Sequence, residues 1–149
     1  MFVDGKGYVA NVGDSRAVLS RNQGAETVDL SEDHKPDIDS EKSRIEKYGG
    51  HIYQTQSAAK VPDGTGNLVD TTLTGPVRVF PGRLSVSRTF GDIEAKLSQF
   101  GGNENVVIAV PEISTFQVNS HADFVLLACD GIFDKMTNQD CVDAIWKNV

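Results

Sequence analysis

The sequence predicts an α+β chain, and three observations carry that reading. Short apolar runs broken by Gly, Asp and Asn fill the first thirty residues and residues 106–129, the pattern of strands between tight turns. From Pro36 to Gly50 the spacing becomes helical, with Ile38 and Ile45 seven positions apart. The last residues form a second amphipathic pattern that puts Val142, Ile145 and Trp146 on one face. A length of 149 residues suits one domain and hardly two.

The elements follow in order. Residues 7–12, 15–20 and 25–30 read as a β-meander between the turn signals Asp4-Gly5, Gly13-Asp14 and Asn22-Gln23-Gly24. Pro36 and the acids after it start a helix, Gly49-Gly50 stop it, and Tyr48 closes its apolar face. Residues 51–83, rich in Ser, Thr, Gly, Asn and Asp, read as a long flap-like surface loop. A short apolar segment, RLSVSRTFGDIEAK, follows between Arg83 and Lys96 and bends at Gly91-Asp92. Strands are expected at 106–110, 112–118 and 123–129. The closing helix takes Thr137 as its N-cap, with Asp140 completing a capping box. Both ends of the sequence fall inside an element, so it reads as part of a domain.

Composition removes several function classes. A net charge of −7 argues against nucleic-acid binding, which needs clustered Lys and Arg. No segment approaches the roughly 18 apolar residues of a membrane span, and the N-terminus lacks the pattern of a signal peptide. Cys129 and Cys141 have neither a disulfide framework nor zinc spacing, so both are expected as buried thiols in a reducing, intracellular setting.

The residues with chemistry lie in DFVLLACDGIFDKMTNQD, residues 123–140, where an apolar strand runs into Asp130-Gly131 and then Asp134. Burying a bare carboxylate costs several kcal/mol unless it is paired or binds a metal. Acids at strand ends are well placed to line a site, and Gly131 would let the chain turn sharply. Two close carboxylates repel unless a proton or cation lies between them, and Mg²⁺ or Mn²⁺ suits such oxygen ligands. Asp14 follows a strand in the same way, although Gly-Asp-Ser is also ordinary composition for a hairpin turn. Arg16 reads as an ion-pair partner for a nearby acid, Asp92 as a turn or cap residue, and His34 as a hydrogen-bonding residue. His51 and His121 read as surface or strand-edge residues.

Six segments in order, ANVGDSRAVL, LSEDHKP, EKSRIEKYGG, RLSVSRTFGD, VPEIS and DFVLLACDGIFDKMT, resemble successive motifs of the metal-dependent type 2C (PPM-type) protein serine/threonine phosphatases. The resemblance covers nearly all of the chain except residues 54–78. It implies a four-layer α-β-β-α sandwich of antiparallel sheets flanked by helices, here incomplete. It also implies two or more Mn²⁺ or Mg²⁺ ions at one end of the sandwich, activating a water for hydrolysis of phosphoserine and phosphothreonine in protein substrates. Carried across, Asp130 matches a ligand of the core metal pair, and Asp14 and Asp134 match acids that bind a further metal. Arg83 and Arg88, beside the flap-like segment, are candidates for contacting substrate.

The family's upstream Asp-Gly-His-Gly, its phosphate-gripping arginine and its late Asp-Asn have no match in residues 1–149. The chain is therefore expected to be the central-to-late part of a phosphatase domain, inactive when made alone. The expected protein is a monomer of the cytoplasm or nucleus, without nucleic-acid or membrane partners. The alternative is a non-catalytic binding or regulatory module of the same fold, a pseudophosphatase.

Overall fold

Asp4 and Gly5 take φ of 48° and 75° and reverse the chain between β1 (Phe2–Val3) and β2 (Lys6–Asn11) in a computed structural model that describes residues 1–149. Asn22, Gln23 and Gly24, also at positive φ, do the same between β3 (Arg16–Arg21) and β4 (Glu26–Asp29). Gly13-Asp14 behaves differently, because β2 and β3 do not pair. β2 lies between β1 and β7 (Glu112–Gln117), while β3 lies between β4 and β8 (Ala122–Ala128), all antiparallel. The expected meander is therefore corrected to two hairpins joined by a crossing from one sheet to the other.

These strands belong to a unit formed by Met1–His34 and Ala109–Val149. Its two three-stranded sheets pack face to face through Ala17, Leu19 and Leu30, with Val9, Val28, Phe116 and Val125 against them. Gly7 lies directly beneath the Phe116 ring, where a Cβ would overlap ring carbons. Val18 points the opposite way, into a second cluster with Phe124, Leu126, Phe133, Cys141 and Val142. β3 is thus buried on both faces, and the middle of β8 places half-buried residues against both clusters, which accounts for their apolar runs. Burying a valine completely, as at Val18 and Val142, contributes roughly 1.5–3 kcal/mol.

The second cluster is roofed by α3 (Asp130–Phe133) and α4 (Asn138–Trp146). Thr137 and Asp140 form the expected capping box, and Trp146 donates through Nε1 to Ser20 at 3.1 Å. Helix, sheet and sheet make three layers in this unit. On the outer face of the β1-β2-β7 sheet, Tyr8 and Ile113 stay exposed. The architecture is that of an incomplete α+β sandwich.

Lys35–Ile108 form the other unit. Its helix α1 spans Asp39–Lys47 and buries Ile45, whereas Tyr48 follows it as an exposed C-cap and does not close the apolar face as expected. The expected loop at 51–83 is corrected to a long antiparallel hairpin, β5 (His51–Pro62) and β6 (Leu68–Phe80), with a register shift near Thr55. Thr and Val outside the turns carry strand preference, and the five-residue turn from Asp63 to Asn67 holds Gly64, Gly66 and Asn67. Asp63 caps this turn, accepting from the Thr65 and Asn67 backbone N–H groups at 2.8 and 2.9 Å.

Val79, Ile45, Ala95, Val106 and Val107 make the core of the unit, with Ile52 and Leu84 beside them. Ala95 comes from the single turn α2 (Ile93–Lys96), which Asp92 precedes at φ 45° without a side-chain cap bond. The strand expected at 106–110 does not form. Val106 and Val107 both donate to the Asn103 carbonyl in a turn, and Ile108 then makes an isolated bridge to Arg88. The apolar run fills a core without extending a sheet.

Candidate functional site

Sheet register decides where the candidate acids go. In the β3–β8 pair Arg16 faces Ala128, so Asp14, two residues before Arg16, and Asp130, two residues after Ala128, emerge at the same end of the sheet. The crossing loop that carries Asp14 is held firmly. The His34 N–H donates to the Gly13 carbonyl at 3.0 Å, and the Gly13 N–H donates to His34 Nδ1 at 3.1 Å. Asn11 Nδ2 donates to the Gly13 and Glu32 carbonyls at 3.2 and 2.9 Å. Because Nδ1 accepts, the ring proton lies on Nε2, which faces Glu112 Oε2 at 3.3 Å. His34 is 2% exposed, so it serves as an internal brace for the loop.

β8 ends at Ala128, Cys129 takes an extended conformation, and Asp130 opens the single helical turn α3. Gly131 lies inside that turn and does not make the sharp bend expected of it. Cys129 is exposed, contrary to expectation, while Cys141 is buried; both are free thiols. The period-2 alternation of a strand puts Cys129 on the side of Leu127, itself 72% exposed, and not with Leu126 and Ala128. Burial and the nearby Asp140 charge raise the Cys141 pKa.

Arg16 organises this end of the unit. Its Nε and Nη2 donate to the two carboxylate oxygens of Asp33 at 2.7 and 3.0 Å, and Nη1 reaches Asn138 Oδ1 at 3.3 Å. The guanidinium also lies 5.1 Å from the centroid of the Phe133 ring. The Asp33 hydrogen bond raises the Arg16 pKa against the opposing effect of partial burial, and the charges of Asp29 and Asp134 add to it. Asp134 follows α3 as its C-cap and, with Arg16 and Asp29, lines an open depression of about 720 Å³. Asp14 is half-buried, whereas Asp130 and Asp134 are exposed.

The three carboxylates are hard oxygen donors of the kind Mg²⁺ and Mn²⁺ take. No three His, Cys, Asp or Glu side chains of the chain converge into a group that could hold an ion. The donor set is therefore incomplete within these residues: the right chemistry, with too few ligands brought together.

The substrate candidates fare differently from each other. Arg83 is exposed in the turn after β6, at φ 58°. Arg88 instead grips Glu41, with Nε at 3.1 Å and Nη2 at 2.6 Å from Oε1. Glu41 is 2% exposed and also accepts from Arg44 Nη1 at 2.6 Å and from the Ser87 hydroxyl. Burial pushes the Glu41 carboxyl up, but hydrogen bonds from Arg88, Ser87 and Arg44 outweigh it and hold its pKa at about 2. This buried network was not read from the sequence. A signal existed: Glu41 is four residues before Ile45, on the helix face that packs into the core.

The family model described as Protein phosphatase 2C matches residues 1–149. The chain belongs to that family. It is 40% identical over 139 residues to "Probable protein phosphatase 2C 4" of Paramecium tetraurelia, covering 93% of this chain and 38% of the relative. It is 41% identical over 139 residues to "Probable protein phosphatase 2C 60" of Arabidopsis thaliana, covering 93% and 32%. A solved phosphatase from a pathogenic strain of Toxoplasma gondii superposes with a TM-score of 0.64 at 34% identity, over 91% of this chain and 35% of that one. A C. elegans sex determining protein superposes with a TM-score of 0.70 at 25% identity, over 95% and 28%. This phosphatase 2C chain thus spans about a third of the length of the curated relatives it matches.

Proposed function

We propose that the protein to which these residues belong is a protein serine/threonine phosphatase dependent on Mn²⁺ or Mg²⁺. The observation that carries the reading is the β3–β8 register, which sends Asp14 and Asp130 out at one end of a sandwich in a chain of the phosphatase 2C family. Asp130 would contribute to the core metal pair, and Asp14 and Asp134 to a further ion. Bound metal supplies Lewis-acid stabilisation of the phosphoryl group and a water acidic enough to attack it near neutral pH. The residues of this chain hold that end in shape: His34 and Asn11 brace the Asp14 loop, and the Arg16–Asp33 pair fixes the ground beside Asp134. The substrates would be phosphorylated proteins and the working form a monomer in the cytoplasm or nucleus. No helix is long and apolar enough to cross a membrane.

Residues 1–149 alone are expected to be inactive, because too few ligands converge among them. The test is hydrolysis of a phosphothreonine peptide by the whole protein with and without Mn²⁺, beside Asp130→Ala and beside the 149-residue chain. Turnover by the whole protein that needs both Mn²⁺ and Asp130, with none from the short chain, is the expected result. A folded whole protein without Mn²⁺-dependent turnover would overturn the enzyme reading in favour of a non-catalytic binding module.

A further inference from the structure

The base of the β5–β6 hairpin carries a cluster that the proposed hydrolysis does not use. Strand alternation sends Ile52 and Val79 into the core, so His51, Tyr53 and Thr55 share the other face of β5. Phe80 stands opposite His51 and Arg78 opposite Tyr53 on the same face. The His51 ring centroid lies 5.0 Å from Phe80 and 6.2 Å from Tyr53, giving a row of three rings. Arg83 closes the row, and these six side chains line an open depression of about 600 Å³ lying wholly within the Lys35–Ile108 unit.

Two features mark this depression as a site. Neither Arg78 nor Arg83 has a carboxylate within ion-pairing distance, although acids outnumber basic residues 21 to 14 in the chain. Arg16, Arg21, Arg44 and Arg88 are all paired with acids. Arg78 is also positioned: its Nη1 donates to the Arg83 carbonyl at 2.7 Å, so one guanidinium is tied to the residue that bears the other. Two cations joined in this way beside an apolar row, with no anion of the chain's own, match an anionic ligand attached to a carbon chain.

We propose that this face binds a phosphorylated side chain of a protein substrate, separate from the phosphate that is hydrolysed. A phosphoryl group carries close to two negative charges and three strong acceptor oxygens, enough for two guanidiniums at once, whereas a carboxylate has one charge. The rings of His51, Tyr53 and Phe80 take the neighbouring apolar residues of the peptide. The substrate role rests on the phosphatase reading; the binding itself does not.

The test uses the whole protein to which these residues belong, with EDTA present so that no divalent metal takes part. A fluorescein-labelled peptide Ala-Leu-phosphoserine-Leu-Ala is titrated by fluorescence anisotropy, beside its serine and glutamate versions. Arg83→Gly is the informative variant. Gly suits φ 58°, so the fold and melting temperature should hold or improve, and the carbonyl that positions Arg78 remains. Arg78→Leu is the second variant, and Lys60→Ala on the same hairpin is the control for simple loss of charge.

Salt-sensitive binding of the phosphopeptide, weakened at least about tenfold by Arg83→Gly and Arg78→Leu but not by Lys60→Ala, is the expected result. Unchanged binding in Arg83→Gly, or glutamate peptide bound as tightly as phosphoserine, overturns the proposal. Mn²⁺-dependent hydrolysis by the whole protein without this binding defeats the inference alone. Binding without any hydrolysis defeats the phosphatase reading and leaves the site standing.

Discussion

Replacing Glu41 by glutamine keeps the shape of the side chain and removes the charge that Arg44 and Arg88 face. In the folded protein the Glu41 carboxyl has a pKa of about 2, against an ordinary 4.5. That difference corresponds to about 3 kcal/mol favouring the folded state when the group is ionised. The folded pKa is depressed, so the contribution is fully present above pH 4.5 and is lost as the pH falls towards 2. Glu41→Ala should cost more at pH 7, about 3–5 kcal/mol, because it leaves the Arg44 and Arg88 guanidiniums without their shared carboxylate. Trp146 lies in the other unit and would report on the wrong residues. The assay is therefore amide hydrogen exchange at Ile45, Val79 and Val106 across pH 7 to 3, with calorimetry alongside. Asp63 and Asp140 also titrate low, held there by hydrogen bonds from Thr65 and Thr137, so the difference between parent and Glu41→Gln isolates the buried group. Parent-like protection in Glu41→Gln at pH 7, with the same decline in acid, would refute the argument.

Two further outcomes follow from the other unit. Thr137→Ala removes the hydroxyl that accepts from the Asp140 N–H at 3.1 Å and should lower stability by about 1 kcal/mol, read by urea titration of Trp146 fluorescence. Asp130→Asn, at an exposed carboxylate, should leave stability within about 0.5 kcal/mol by the same titration, since nothing in the chain depends on its charge for packing.

Local signals in the sequence were dependable where one interaction decided the outcome. Thr137 with Asp140, the Gly49-Gly50 stop and the turns at Asp4-Gly5 and Asn22-Gln23-Gly24 lie where their chemistry puts them. Misreadings arose where the same composition serves two structures. The Ser and Thr of residues 51–83 resemble a loop, yet Thr is β-branched and fits a pleated strand as well as any turn. Val106 and Val107 look like a strand because an apolar pair is needed, and a core needs the pair as much as a sheet does. Partner choice was out of reach altogether. That β2 pairs with β7, more than a hundred residues away, and not with β3 depends on how Val9 and Phe116 meet Leu19 and Val125 across the sandwich.

The candidate site shows the same division, and it separates two kinds of acid. Asp14, Asp130 and Asp134 stand out in the sequence as candidates because each interrupts or follows an apolar run that could have ended without one. Asp130 and Asp134 are exposed, so their charges cost the fold little, whereas Asp14 is half-buried in its braced loop. Glu41 was illegible for the opposite reason: its sequence context is an ordinary charged helix, and only the packing of that helix reveals a buried carboxylate held by Arg44, Ser87 and Arg88. An acid that folding requires should therefore be costly to replace and silent in catalysis. An acid that chemistry requires should be cheap to replace and decisive for turnover. Glu41→Gln and Asp130→Asn, compared in stability and then in Mn²⁺-dependent hydrolysis by the whole protein, put that distinction to a direct trial. Equal stability losses in the two would remove the ground for treating Asp130 as a ligand and Glu41 as a strut.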